Sequence, residues 1–467
     1  MAGELWTQSA STLAAMIARR ETTSRAVVEA HLARIEAVNP AVNAVVSVDA
    51  DGARAAADAA DRSIAAGAPL GVFHGVPFTV KTNIDQIGVP TTHAVVALAG
   101  SMPTSDDPTV ERMKAAGAIP IARTNMPDMG LRLHTDNALF GLTRNPWNLG
   151  RTVGGSSGGE GAALAAGMTP IGLGNDIGGS LRNPAFACGI ASLKPSFGRI
   201  ATASSIEPHA VPLTFQLMAV HGPMARSVGD LRVALAVLAG PHPRDPLSFP
   251  APLVGPAPAR RKVAVMAEPP GGSTAPEIAN SVRLAADALA DAGYEVTEIA
   301  PPQFEDAVLV WRDWLCAELA VQAPVLRTIM SRDAVTFLDD MLAEAGEASF
   351  AQSVEFQMHR HRIATAWSQF LAEYPLILGP TWCQPQFEHG YDVAGPGSAR
   401  NIINLMRNVV PLNLLGLPAV CVPAGVANGL PLGVQIAGDR FREDLCLDAA
   451  EAIEARLGVL TPIDPRG

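Results

Sequence analysis

The sequence predicts an α/β fold, built as a single large domain around a central sheet. Two observations carry this. A helix–glycine–strand unit occurs twice: Thr109 to Ala116 is helical in composition, Gly117 follows, and Ala118 to Ala122 is a short apolar strand; Ser281 to Ala292, Gly293 and Glu295 to Ile299 repeat the order. Short apolar runs suited to buried strands also recur as far as Gly433–Ile436, so core material returns late in the chain and argues against a split into domains.

The elements follow in order. Thr12 to Arg20 is Ala-rich and helical. Ser24 is placed to cap a second helix running to about Val38, with Val28, Leu32 and Ile35 at helical spacing and Asn39-Pro40 as its stop. A third helix is expected over Gly52 to Ala66. Gly75-Val-Pro-Phe-Thr-Val-Lys81 is a short apolar strand that ends on a lysine. Further buried strands are expected at Pro170–Leu173, Lys262–Met266, Leu376–Leu378, Ala419–Val422 and Gly433–Ile436. Seven prolines stand between Pro241 and Pro258, too many for a regular helix or a central strand, so this stretch is expected to cross the surface as a loop. No repeat of solenoid length is visible.

Composition narrows the function. Of 467 residues, 48% are apolar and 17% charged, which suits a large buried core and not a disordered chain. The formal net charge of −11 argues against nucleic acid as the main partner, because phosphate binding needs concentrated Lys and Arg. Cys188, Cys316, Cys383, Cys421 and Cys446 are scattered and odd in number, so neither a disulfide framework nor a structural zinc site is expected. They suit buried thiols in a reducing cytoplasm. Met1 to Arg20 lacks a basic segment followed by an apolar run, so no signal peptide is expected, and no stretch is apolar for long enough to span a bilayer. A homodimer is the default assembly for a soluble enzyme.

Two glycine–serine segments are the chemical signal. The first is Val153-Gly-Gly-Ser156-Ser157-Gly-Gly-Glu160-Gly; the second is Gly174-Asn-Asp176-Ile177-Gly178-Gly179-Ser180-Leu-Arg182. An Ala-rich helix, about Gly161 to Ala166, lies between them. Gly-rich backbone lets N–H groups converge on an anion. Nucleotide binding is disfavoured, since no Gly-Lys-Ser/Thr ending occurs and Gly172, Gly174 and Gly178 are spaced GxGxxxG instead of GxGxxG. A serine that follows Ile177-Gly178-Gly179 would have an oxyanion hole in its own backbone, although a serine in such a loop can equally be a turn residue. Gly154 to Gly158 also spells GxSxG around Ser156, but Asn148 to Thr152 is too polar and Gly-broken for the strand an elbow requires. None of the ten histidines is marked out as a base; His93 and His134 lie between Lys81 and the serines. Lys81 ends an apolar strand, where burial would favour its neutral form; the alternative is a side chain reaching to the surface.

Taken together these residues resemble the amidase signature family of serine hydrolases. Gly75 to Lys81, Thr124-Asn-Met-Pro127, Asn145-Pro-Trp147, Gly154 to Gly159, Asp176 to Arg182, Leu193-Lys-Pro195 with Gly198-Arg199, Gly222 to Val228 and Gly429 to Gln435 fall in family order, so the resemblance covers essentially the whole chain. It implies a mixed central sheet covered by helices on both faces, with the signature core at about residues 70–230. It also implies a Ser-cisSer-Lys triad: Lys81 as base, Ser156 as bridging serine after a cis Gly155–Ser156 peptide, and Ser180 as nucleophile. The N–H groups of Ile177, Gly178, Gly179 and Ser180 would form the oxyanion hole. Gly130, Ser157, Asp176 and Arg182 are the implied supporting or substrate-binding residues. Asn175 departs from the Ser or Thr of many relatives; lying just outside the oxyanion loop, it is expected to alter the bonding around the site and not the chemistry.

The resulting expectation is an amidase acting on a small amide, with water as the second substrate and no metal or organic cofactor. Met126–Leu133 and Trp311–Leu319 are rich in Met, Leu and Trp, which suits an apolar or aryl substrate as well as ordinary core. A carbamate or ester hydrolase, or an aryl acylamidase, is the nearest alternative, because each presents the same carbonyl to the same nucleophile. An amidotransferase-type subunit of a complex is a further alternative, for which no partner motif is visible. A non-catalytic binding subunit is disfavoured by the intact Lys81, Ser156 and Ser180.

Overall fold

In the computed structural model, which describes residues 4–207 and 210–466, the helix–glycine–strand units become edges and neighbours of one continuous sheet. The strands among these residues are β1 (Val45–Val48), β2 (Pro77–Lys81), β3 (Ile119–Thr124), β4 (Ile171–Asp176), β5 (Ala191–Lys194), β6 (Val220–Ala225), β7 (Lys262–Val265), β8 (Glu295–Glu298), β9 (Leu376–Pro380), β10 (Ala419–Ala427) and β11 (Leu430–Gly438). Their order is β1-β3-β2-β4-β6-β5-β10-β11-β9-β7-β8. The sheet is mixed: β2 runs parallel to β3 and β4, and β7 runs parallel to β8 and β9, while β4, β6, β5, β10, β11 and β9 alternate in direction.

Burial on both faces explains why the strands read as unbroken apolar runs. All residues of β2, β5, β9 and β11 are buried. Successive residues then feed opposite cores, as the two-residue period of a strand requires. On β10, Ala419 and Cys421 join one apolar cluster and Val420 and Val422 the other. Helices cover both clusters, so the α/β single-domain expectation holds.

Several boundaries differ from the sequence reading. The second helix is Ser24–Val42, capped by Thr23, whose side chain accepts from the Ala26 N–H; Ser24 Oγ instead donates to the Gly75 carbonyl at 2.9 Å. Pro40 lies inside this helix, and the end comes at Asn43 in the left-handed region. There the Asn39 side chain accepts from the N–H groups of Ala44 and Val45, so the turn signal acts one step later than expected. Strands β1, β5 and β6 had no sequence signal strong enough to find them. In β6, His221-Gly-Pro interrupts any apolar alternation. The long helices Phe304–Ile329, Arg332–Ala345 and Phe350–Glu373 were also unread; they pack together as a cover beside the Gly-rich segments.

Residues 241–258 contain no helix or extended strand and are largely exposed. Arg199 fastens this stretch by donating to the carbonyls of Ala251 and Pro252 at 2.7 and 2.9 Å. No helix among the described residues is long and apolar enough to cross a membrane.

Candidate active site

Lys81 is the last residue of β2, a strand held between β3 and β4 and buried throughout. Its Nζ lies 2.7 Å from Ser156 Oγ and donates to Asn175 Oδ1 at 2.6 Å. Strand pairing accounts for the second contact: β2 and β4 are parallel with Val80 opposite Leu173, which brings the end of one strand beside Asn175 on the other. Asn175 thus enters the bonding around the site, through the side chain of Lys81. Burial pushes the Lys81 ammonium down to about 7, against the opposing pull of the Asp176 and Glu160 carboxyls. Desolvation wins because the side chain is wholly removed from water.

Glu160 lies beneath this group. It is fully buried, accepts from Thr124 Oγ1 at 2.8 Å and from Thr79 Oγ1, and burial raises its carboxyl to about 7 against those two hydrogen bonds.

Ser156 follows a cis Gly155–Ser156 peptide and precedes the helix Gly158–Ala165. No strand leads into it, so a nucleophile elbow lacks its required context. Gly130 faces it from a short turn, Asp128–Gly130. A side chain at Gly130 would place its Cβ 3.2 Å from Ser156 Oγ, and the backbone there has φ +74°, so only glycine fits without strain. Ser157 ties the two Gly-rich segments together: its N–H donates to the Ser180 carbonyl at 3.3 Å, and its Oγ to the Asn175 carbonyl at 3.4 Å.

Ser180 stands between β4 and the helix Arg182–Cys188. Asp176 braces this loop by accepting from the N–H groups of Gly179 at 2.7 Å and Leu181 at 3.2 Å. The Gly179 N–H is thus turned toward the Asp176 carboxylate. Arg182 pairs with Asp176 through Nε and Nη2 at 3.0 and 3.1 Å, both side chains being fully buried. It also donates to the Val409 carbonyl, Gln435 Oε1 and Asn413 Oδ1. Burial alone would raise the Asp176 carboxyl, but the Arg182 charge and its hydrogen bonds hold it down at about 2.

Two further residues hold the loop through contacts that the sequence does not display. Asn183 Nδ2 donates to the carbonyls of Gly178 and Gly155 at 3.0 and 3.4 Å, and Trp382 Nε1 fixes its Oδ1 at 2.9 Å. Trp311 Nε1 donates to the Ile177 carbonyl at 3.0 Å. The sequence signal for Trp311 was its place in an apolar stretch; Asn183 had none.

The histidines stand aside. His134 Nδ1 faces Thr152 Oγ1 at 2.9 Å, and burial pushes His93 down to about 4; among the described residues neither is hydrogen-bonded to Ser156 or Ser180. All five cysteines are buried and free. Among the described residues no group of His, Cys, Asp and Glu is arranged to hold a metal ion.

Ser180 opens into a pocket of about 510 Å³ including its mouth. Gly130, Gly155, Ile177 and Gly178 line it together with the apolar Leu131, Leu133, Trp311, Leu315, Phe337 and Met406. The Met126–Leu133 and Trp311–Leu319 stretches therefore contribute to the pocket as well as to the core. Arg132, at the same wall, is closed off by a buried pair with Asp392 at 2.8 Å.

The Amidase family model matches residues 26–447. The chain is 41% identical over 461 residues to an indoleacetamide hydrolase from Bradyrhizobium diazoefficiens, covering 98% of this chain and 88% of that protein. It superposes on the structure of 6-aminohexanoate cyclic dimer hydrolase complexed with substrate with a TM-score of 0.85, at 29% identity and 99% coverage of both chains. A bacterial aryl acylamidase of the amidase signature family superposes with a TM-score of 0.83, at 28% identity and 96% coverage of both chains. On the strength of these matches across nearly its full length, the chain belongs to the Amidase family, the amidase signature hydrolases of amides.

Proposed function

We propose that the protein hydrolyses the C–N bond of a small carboxylic amide with an apolar or aryl acyl group, through an acyl-enzyme on Ser180. The observation that carries this reading is the buried Lys81–Ser156 contact of 2.7 Å next in the chain to Gly155, which lines the same apolar pocket as Ser180. The relay follows from the protons. Neutral Lys81 takes the Ser156 proton while Ser156 takes that of Ser180, and Ser180 Oγ attacks the carbonyl carbon. The oxygen that gains charge is met by the N–H groups of Ile177, Gly178 and Ser180. The lysinium then returns its proton through Ser156 to the leaving nitrogen, and the amine departs. Water repeats the cycle on the ester and releases the acid. This is a Ser–Lys variant of triad chemistry.

The acyl preference is supported by the pocket walls and by the similarity to an indoleacetamide hydrolase and an aryl acylamidase. The buried free cysteines suit action in the cytoplasm. A hydrolysis screen tests the reading: indole-3-acetamide, phenylacetamide, acetanilide, a phenyl carbamate and a phenyl ester, each followed by mass spectrometry. Turnover of the aryl amides above the short aliphatic ones is expected. Preference for the carbamate or ester would replace the amide reading. Glutamine-dependent activity only in the presence of other subunits would favour an amidotransferase role.

A further inference from the structure

We infer that Asn175 is a positioning residue: its side-chain carbonyl orients the Nζ of Lys81 toward Ser156 and so sets the pH range over which the relay works. The inference rests on Lys81 acting as the base.

A neutral amine has two N–H bonds and one lone pair. To accept a proton from Ser156, the lone pair must point at Ser156 Oγ, 2.7 Å away. Asn175 Oδ1 lies 2.6 Å from the same nitrogen, and a carbonyl oxygen can only accept. An N–H must therefore face Asn175, which anchors the amine by one of its two N–H bonds and keeps its lone pair free to turn to Ser156. A hydroxyl at this position could donate to the lone pair instead and compete with Ser156; the amide oxygen cannot. The Asn175 backbone is itself fixed, since the residue pairs with His221 across β4 and β6 and its carbonyl accepts from Ser157 Oγ.

The amide dipole also acts on charge. Its oxygen is directed at Nζ and favours the protonated form, opposing the burial that favours the neutral one. The other charges around Lys81 come from each element packed on it. Asp176, held by Arg182, follows on β4, and Glu160 lies on the helix Gly158–Ala165. Arg123 on β3 donates to the Lys81 carbonyl, while His93 and Asp85 lie on the segment that follows β2. His221, opposite Asn175, faces Asp107 at 3.4 Å. Asn175 is the uncharged member of this set that touches Nζ directly, so changing it alters the field on Lys81 while every charged group stays in place.

The test compares wild type with Asn175→Leu, Asn175→Asp and Lys81→Met. Phenylacetamide hydrolysis is measured from pH 5 to 10, alongside the rate at which a fluorophosphonate labels the enzyme. Asn175→Asp places a carboxylate against the lysine, so its acidic limb should move up by about one pH unit or more, with activity recovered at alkaline pH. Asn175→Leu removes the acceptor, so the limb should move down while kcat at the plateau falls about tenfold or more at nearly constant KM. Asn175→Thr, whose hydroxyl can accept from Nζ but can also donate to its lone pair, should recover only part of the plateau lost in Asn175→Leu. The same acidic limb in wild type, Asn175→Asp and Asn175→Leu would overturn the inference, whether read by turnover or by labelling. If Lys81→Met also keeps that limb, Lys81 is not the base and the proposed relay itself fails.

Discussion

The indole Nε1 of Trp311 donates to the Ile177 carbonyl at 3.0 Å, and Trp311 lines the same pocket as Ser180. A Cβ added to Gly178 would come within 2.6 Å of the ring, so wall and loop are in direct contact. The side chain that would meet the acyl group is thus the one that holds the first residue of the oxyanion loop. Trp311→Phe keeps the wall and deletes the donor, so kcat should fall about tenfold with little change in KM. Trp311→Ala removes both, and KM should rise as well. Steady-state kinetics on phenylacetamide checks this; equal effects of the two variants on kcat and KM would contradict this division between wall and loop.

In the proposed relay, Lys81 sets the acidic limb of the rate profile. Burial lowers its protonated form to about 7, and only the neutral amine can accept the Ser156 proton. The rate should therefore be half-maximal near neutrality, fall about tenfold for each pH unit below it, and reach a plateau above. Lys81→Met should lose most activity at the plateau. A kcat/KM profile flat from pH 5 to 9 in the wild type would contradict this.

Gly130 tests how closely the bridging serine must be held. Gly130→Ala puts a methyl group 3.2 Å from Ser156 Oγ in a backbone region that favours glycine. A loss of about 1 kcal/mol in stability is expected, with a decrease in kcat of about tenfold or more. Urea denaturation and steady-state kinetics give the two numbers separately.

Asp176 and Arg182 carry the loop that presents Ser180. Because the Asp176 carboxyl is lowered in the folded protein, its contribution to stability is fully present above the ordinary carboxylate range and is lost as the pH falls through about 2. Asp176→Asn leaves Arg182 buried without its counter-charge and should cost about 3 kcal/mol or more at neutral pH. Asparagine keeps one acceptor oxygen where two N–H groups, of Gly179 and Leu181, need one each, so one of them loses its partner and fluorophosphonate labelling should slow even where the variant is folded. Thermal denaturation and labelling rates measure the two effects.

How much of this was legible in the sequence follows from the range of each interaction. Ser156, Ser180 and the Asp176–Arg182 pair sit in short Gly-rich segments whose local order reveals them. Lys81 was marked by a charge at the end of an apolar strand. The bond between Lys81 and Asn175 was not readable, because it depends on the register of β2 against β4. Trp311 and Asn183 act on the loop from elsewhere in the fold or through backbone carbonyls that no pattern displays. The three-helix cover, residues 304–373, was missed because its polar faces dilute the apolar periodicity over long stretches. Ser24 and Thr23 are both competent caps, and only the pull of the Gly75 carbonyl on Ser24 decides between them.

The most direct measurement is the location of a covalent adduct. The protein is incubated with an alkyl fluorophosphonate near pH 8, digested, and the modified residue is identified by tandem mass spectrometry. The expected result is one adduct per chain, on Ser180, absent in Ser180→Ala and formed much more slowly in Ser156→Ala and Lys81→Met. An adduct on Ser156, or no adduct on protein that hydrolyses phenylacetamide, would contradict Ser180 as the nucleophile.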